Sequence, residues 1–98
     1  MIDIDPGHLA TIHEILEKHS PDLTVWAFGS RVKKTASRYS DLDIALIGNR
    51  KIDAGFLAEL KEELSLSDLP FQIDLVDWND INDNFRNIIL QDYEVIQP

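Results

Sequence analysis

Apolar positions along this chain recur with two different periods, and the alternation between them outlines the fold. Leu9, Ile12 and Leu16 are spaced for one face of a helix that Pro6 can open, with Pro21 beyond its end. Residues 23–28, LTVWAF, read as a buried strand that delivers the chain into Gly29-Ser30, and a short helical segment follows with Ser30 near its N-terminus. A second strand is predicted over 41–47, closed by Gly48-Asn49. Asp53 then caps a long helix whose Phe56, Leu57, Leu60 and Leu64 face inward. Pro70 precedes a third strand over 71–76. Asn79 or Asp80 caps a last helix with Ile81, Phe85, Ile88 and Ile89 inward, and a short strand over 93–96 ends the pattern. Helices and strands joined by short connections indicate an α/β or α+β architecture, while the strand order does not follow from the pattern.

Two of these strands carry residues that strands disfavour. In SDLDIAL, Asp41 and Asp43 alternate with Leu42, Ile44 and Leu46, and in FQIDLVDW, Asp74 lies between Ile73 and Leu75. Side chains two apart share a face, which sets Asp41 and Asp43 side by side, roughly 7 Å apart at the backbone. If the third strand pairs beside the second, Asp74 converges on them. Like charges held together in this way ask for a divalent cation. Asp77 has the other parity and sits at the strand end, where capping is its natural role. Upstream, Gly29-Ser30 offers backbone N–H groups, a hydroxyl and room for close approach, as a polyphosphate requires. Singly, the Gly-Ser pair reads as a plain turn, Asp41 as a cap after Ser40 and Asp43 as an exposed edge position. Their coincidence points to nucleotidyl transfer.

Composition narrows the alternatives. At 98 residues, one domain spanning 1–98 is expected, with a single modest core. There are no cysteines, which excludes disulfides, thiolate-bound zinc and thiol catalysis. No apolar run approaches the length of a membrane span, and MIDIDPGHL lacks the features of a signal peptide, so a cytoplasmic protein is expected. The net charge is −9, yet Arg31, Lys33, Lys34 and Arg38 cluster beside the Gly-Ser turn, four of the nine basic residues. The acidic remainder would repel a nucleic-acid backbone, so a long DNA or RNA substrate is not expected. Arg31 and Lys33 either reach triphosphate oxygens or stand solvated. His8, His13 and His19 lack the spacing that aligns two rings for a metal and read as surface or helix-end residues. Trp26 and Trp78 could line a base pocket but suit the core of so small a domain better. Tyr39 could stack on a base and is read instead as packing the turn before Asp41.

Taken together, GSRVKKTASRYSDLDIAL and the later IDLVD resemble the nucleotidyltransferase superfamily typified by DNA polymerase beta. The length and the form of the motif are similar to its minimal nucleotidyltransferase (MNT) group, found as antitoxins beside HEPN-domain toxins. The resemblance covers essentially the whole chain. It implies a small mixed sheet flanked by helices. It also implies that Gly29 and Ser30, with Arg31 and Lys33 nearby, hold the nucleotide, and that Asp41, Asp43 and Asp74 are the catalytic, metal-binding acids. Two Mg²⁺ and ATP are the implied cofactor and substrate. The implied reaction moves AMP to a tyrosine of a HEPN ribonuclease toxin, within a hetero-oligomer. The alternatives are a small-molecule acceptor such as an aminoglycoside, and a catalytically silent antitoxin that masks its toxin.

Overall fold

The computed structural model describes residues 4–33 and 40–98. Helix α1, Pro6–His19, starts where Pro6 needs no N–H partner and the Asp5 carboxylate accepts from Gly7 N–H at 2.8 Å. Strand β1, Thr24–Phe28, runs into Gly29 and the single-turn helix α2, Ser30–Lys33. Strand β2 is Leu42–Ile47. Helix α3, Ala54–Leu66, is capped by Asp53, which accepts from Phe56 N–H at 3.0 Å. Strand β3, Ile73–Asp77, leads through a 3₁₀ turn, Trp78–Asp80, to helix α4, Asp83–Gln91, and strand β4, Tyr93–Gln97.

The four strands form one sheet in the order β3-β2-β1-β4. β1 pairs antiparallel with both β2 and β4, whereas β2 and β3 run parallel, joined by the α3 crossover. Period-two alternation gives the sheet two apolar faces. One presents Val25, Ala27, Leu42, Ile44, Leu46 and Leu75 to Ile12 and Leu16 of α1 and Leu60 and Leu64 of α3, all buried. The other presents Phe28 and Ala45 to Ile89 of α4, with Trp26, Val76, Trp78, Ile81 and Phe85 packed around them. Most of that second face is covered, but α4 is too short to cover it all. Among the described residues, no helix is long and apolar enough to cross a membrane.

Two sequence expectations about the last helix are corrected. Its cap is Asn82, which accepts from Phe85 N–H at 2.9 Å, not Asn79 or Asp80. The run NDIND holds two Asn-Asp pairs three residues apart, either of which could cap by composition. The first pair is engaged elsewhere, because Asn79 Nδ2 donates to the Gly48 carbonyl at 2.9 Å and residues 78–80 form the 3₁₀ turn. Ile88 is 55% exposed, so the inward stripe is Ile81, Phe85 and Ile89 at intervals of four. The other elements lie within two residues of their predicted bounds.

Asp77 is buried and accepts two backbone hydrogen bonds, from Ile52 N–H at 2.7 Å and from Asn79 N–H at 3.0 Å. It thereby ties the start of α3 to the end of β3. Asp77→Ala would remove the acceptor of two partly buried N–H groups, and the expected loss is about 2–4 kcal/mol of stability. Chemical denaturation checks this, with metal binding by the folded variant expected to stay as in the wild type.

Candidate active site

Antiparallel pairing of β1 with β2 brings the end of one strand beside the start of the other, which sets Gly29 next to the first acids. Phe28 pairs with Asp43, Asp43 pairs with Asp74, and Tyr93 pairs with Phe28 on the far side. One row therefore crosses all four strands as Tyr93, Phe28, Asp43 and Asp74, at the usual strand spacing of about 4.8 Å. Asp43 and Asp74 are neighbours on the face that carries α4. Asp41 lies two residues before Asp43 and is exposed at the strand's beginning. Asp77 pairs with Leu46, on the opposite parity from Asp74, and its carboxylate is consumed as a cap.

Gly29 has φ +79°, a left-handed conformation that residues with a Cβ adopt only at a cost. A Cβ there would overlap the Oδ2 atom of Asp43. Only glycine lets the turn pass this close to the carboxylate. The Gly29 carbonyl accepts from Val32 N–H at 3.1 Å and Lys33 N–H at 3.0 Å, starting α2 directly after the turn. Ser30 is half-buried at the head of α2 and Lys33 is exposed on it.

Arg31 takes a different course from its neighbours. Its guanidinium is buried, lies 4.2 Å from the centre of the Phe71 ring, and donates from Nε and Nη2 to the Ser40 carbonyl at 3.0 and 2.9 Å. Sequence reasoning saw a basic residue beside a phosphate turn and missed this destination, since the ring that receives it lies forty residues further on. Lys34, Arg38 and Tyr39 lie outside the described residues. Trp26 stacks on Tyr93 with centroids 4.1 Å apart and meets Trp78 edge-on at 5.5 Å, so both indoles belong to the packing under α4. His8 meets Phe71 edge-on, His13 is exposed, and His19 pairs with Glu63.

Partial burial pushes the Asp43 carboxyl above its ordinary value of 3.8, and the charges of Asp74 and then Asp41 push it further the same way. The native state consequently holds a proton at pH values where the unfolded chain has released it. Stability from this group is present below pH 3.8 and is lost as pH rises through the raised native value. Asp43→Asn should therefore melt higher than the wild type at neutral pH, and the advantage should disappear below pH 3.8. Thermal unfolding on either side of that window measures it.

The donor chemistry fits a hard divalent cation, because the clustered groups are carboxylates whose mutual repulsion such an ion would relieve. Among the described residues, no three His, Asp or Glu side chains stand close enough to hold a metal by themselves. Mg²⁺ does not need such a cage: it is commonly held by one or two carboxylates together with waters and substrate phosphates. This arrangement suits an ion whose remaining ligands are waters, or phosphate oxygens once a nucleotide is bound. Asp41 also borders a cleft of about 590 Å³ whose walls include Lys61, Ser65, Phe71 and Gln72.

Comparisons with known proteins bear on the family and the fold. Residues 10–97 match the family model "Polymerase beta, Nucleotidyltransferase". The probable protein adenylyltransferase MntA of Haemophilus influenzae is 51% identical over 98 residues, covering 98% of this chain and 84% of that one. A toxin–antitoxin crystal structure with AMP-PNP superposes with a TM-score of 0.76 at 27% identity, over 90% of this chain and 71% of that one. A chain of the solved complex of tri-AMPylated Shewanella oneidensis HEPN toxin with MNT antitoxin shares the fold, with a TM-score of 0.68 at 24% identity over 91% of this chain and 68% of the matched one. The chain belongs to the polymerase beta nucleotidyltransferase family.

Proposed function

We propose that this chain is a Mg²⁺-dependent protein adenylyltransferase that transfers AMP from ATP to a tyrosine of a HEPN ribonuclease toxin and so neutralises it as an antitoxin. The observation that carries the reading is the pairing of Asp43 with Asp74 in one register, with the Gly29 turn packed against Asp43. The 51% identical protein adenylyltransferase and the AMP-PNP-bound toxin–antitoxin structure support the nucleotide and the class of partner.

The residues divide the work by position. Gly29 and Ser30 would take the β and γ phosphates through backbone N–H groups and the hydroxyl, and exposed Lys33 would reach the outer oxygens. Asp41, Asp43 and Asp74 would hold the ions. When bound, Mg²⁺ supplies charge neutralisation at the nucleophile and at the departing pyrophosphate. Asp74 would accept the phenol proton as the tyrosine oxygen attacks the α-phosphorus. One P–O bond forms to the tyrosine, the bond between the α-phosphorus and the bridging oxygen breaks, and pyrophosphate leaves with that electron pair. The chemistry consists of positioning and charge stabilisation, so three acids and a phosphate turn suffice once the partner presents an aligned hydroxyl. In this reading the toxin presents the acceptor hydroxyl to the site, within a hetero-oligomer.

Co-expression with the cognate toxin separates catalysis from masking. An Asp41→Asn, Asp43→Asn double variant should still form the complex but fail to rescue growth. Full rescue by that variant would establish neutralisation by binding alone.

A further inference from the structure

We infer that Arg31 is a positioning residue that holds the phosphate turn in register with the metal-binding acids, and that it is not itself a phosphate ligand. The inference rests on the nucleotidyltransfer reading of the site. Three contacts carry it. Arg31 sits on α2, two residues after Gly29, and is 6% exposed. Its Nε and Nη2 both donate to the carbonyl of Ser40, the residue before Asp41. Its guanidinium carbon lies over the ring of Phe71, the residue before Gln72. The Gln72 carbonyl in turn accepts from Leu42 N–H at 2.9 Å.

The consequence is a closed set of links around Asp41. On one side its neighbour Ser40 is held from α2, and on the other its neighbour Leu42 is held from the segment leading into β3. Asp41 is exposed and precedes the strand ladder, so those flanking contacts fix its backbone where sheet pairing does not. The same guanidinium touches the chain three residues before Asp74. One side chain thus connects the phosphate turn, the start of β2 and the approach to β3. A lysine could keep the charge but not the fork of two donors on one carbonyl or the guanidinium contact with the ring.

Arg31→Lys separates the two roles, since a phosphate ligand acting through charge would be largely preserved. Three readouts decide it: Mn²⁺ binding to the protein by loss of the free-ion EPR signal, AMP-PNP affinity in EDTA by calorimetry, and thermal unfolding. The expected result is Mn²⁺ binding weakened by about tenfold, as for other losses of support behind metal ligands, with AMP-PNP affinity in EDTA essentially unchanged. In the transfer assay kcat should fall while KM for ATP holds. Wild-type Mn²⁺ binding by a folded Arg31→Lys protein, whatever its AMP-PNP affinity, would overturn the inference. Should Arg31→Lys fail to fold, Phe71→Leu removes the ring beneath the guanidinium and should weaken Mn²⁺ binding in the same direction; a folded Phe71→Leu protein with wild-type Mn²⁺ affinity would equally overturn it. Absence of transfer by the wild type would sink the adenylylation reading alone, because the Mn²⁺ and AMP-PNP measurements do not depend on it.

Discussion

Replacing Asp43 by Asn should abolish adenylyl transfer, by about a thousandfold or more, while leaving the protein at least as stable as the wild type. The side chain changes by one atom and keeps its shape, but loses the charge that a divalent ion requires. Several kcal/mol of transition-state charge stabilisation goes with it, and each 1.36 kcal/mol is a factor of ten in rate. The stability expectation has the opposite sign for the same reason. Asp43 is partly buried and repelled by Asp74 and Asp41, so its ionised form strains the folded state when no ion is present. A variant that loses activity through general unfolding would melt lower; Asp43→Asn should melt at or above the wild-type temperature. Steady-state transfer rates and thermal unfolding of the same preparation check both halves.

Gly29→Ala has the second largest expected effect, and it reaches the site through the backbone. A Cβ at φ +79° costs about 1–2 kcal/mol in left-handed strain. It also overlaps Asp43 Oδ2, so either the turn or the carboxylate must move. A displacement on the order of 1 Å suffices to cost about a hundredfold in rate. Transfer should fall at least that far, with a measurable loss in denaturant midpoint. Normal activity in Gly29→Ala would mean that the close packing of the turn on Asp43 is not needed for catalysis.

Much of this site was legible in the chain because it breaks a local rule. Aspartates alternating with Leu and Ile in two separate strands are costly unless they act together, and strand parity alone distinguished Asp74 from Asp77. The register that makes Asp43 and Asp74 direct neighbours, and the contact of Gly29 with Asp43, needed the structure, since strand order depends on long-range packing. The start of α4 was ambiguous because two Asn-Asp pairs compete as caps, and a hydrogen bond from Asn79 to the distant Gly48 decides between them. Ile88 is exposed because the packed side of the helix is the stripe Ile81, Phe85 and Ile89 at intervals of four, which turns Ile88 out of the contact. Arg31 was read from its neighbours in sequence, whereas its position is set by Ser40 and Phe71, which no local pattern links to it.

The most direct test of the central claim is the intact mass of the proposed HEPN toxin partner after incubation with this chain, ATP and Mg²⁺, alongside the Asp41→Asn, Asp43→Asn variant. The expected result is one or more added AMP masses on the toxin, located on tyrosine by fragmentation and absent with the variant. An unchanged toxin mass in a stable complex with the wild-type chain would contradict it.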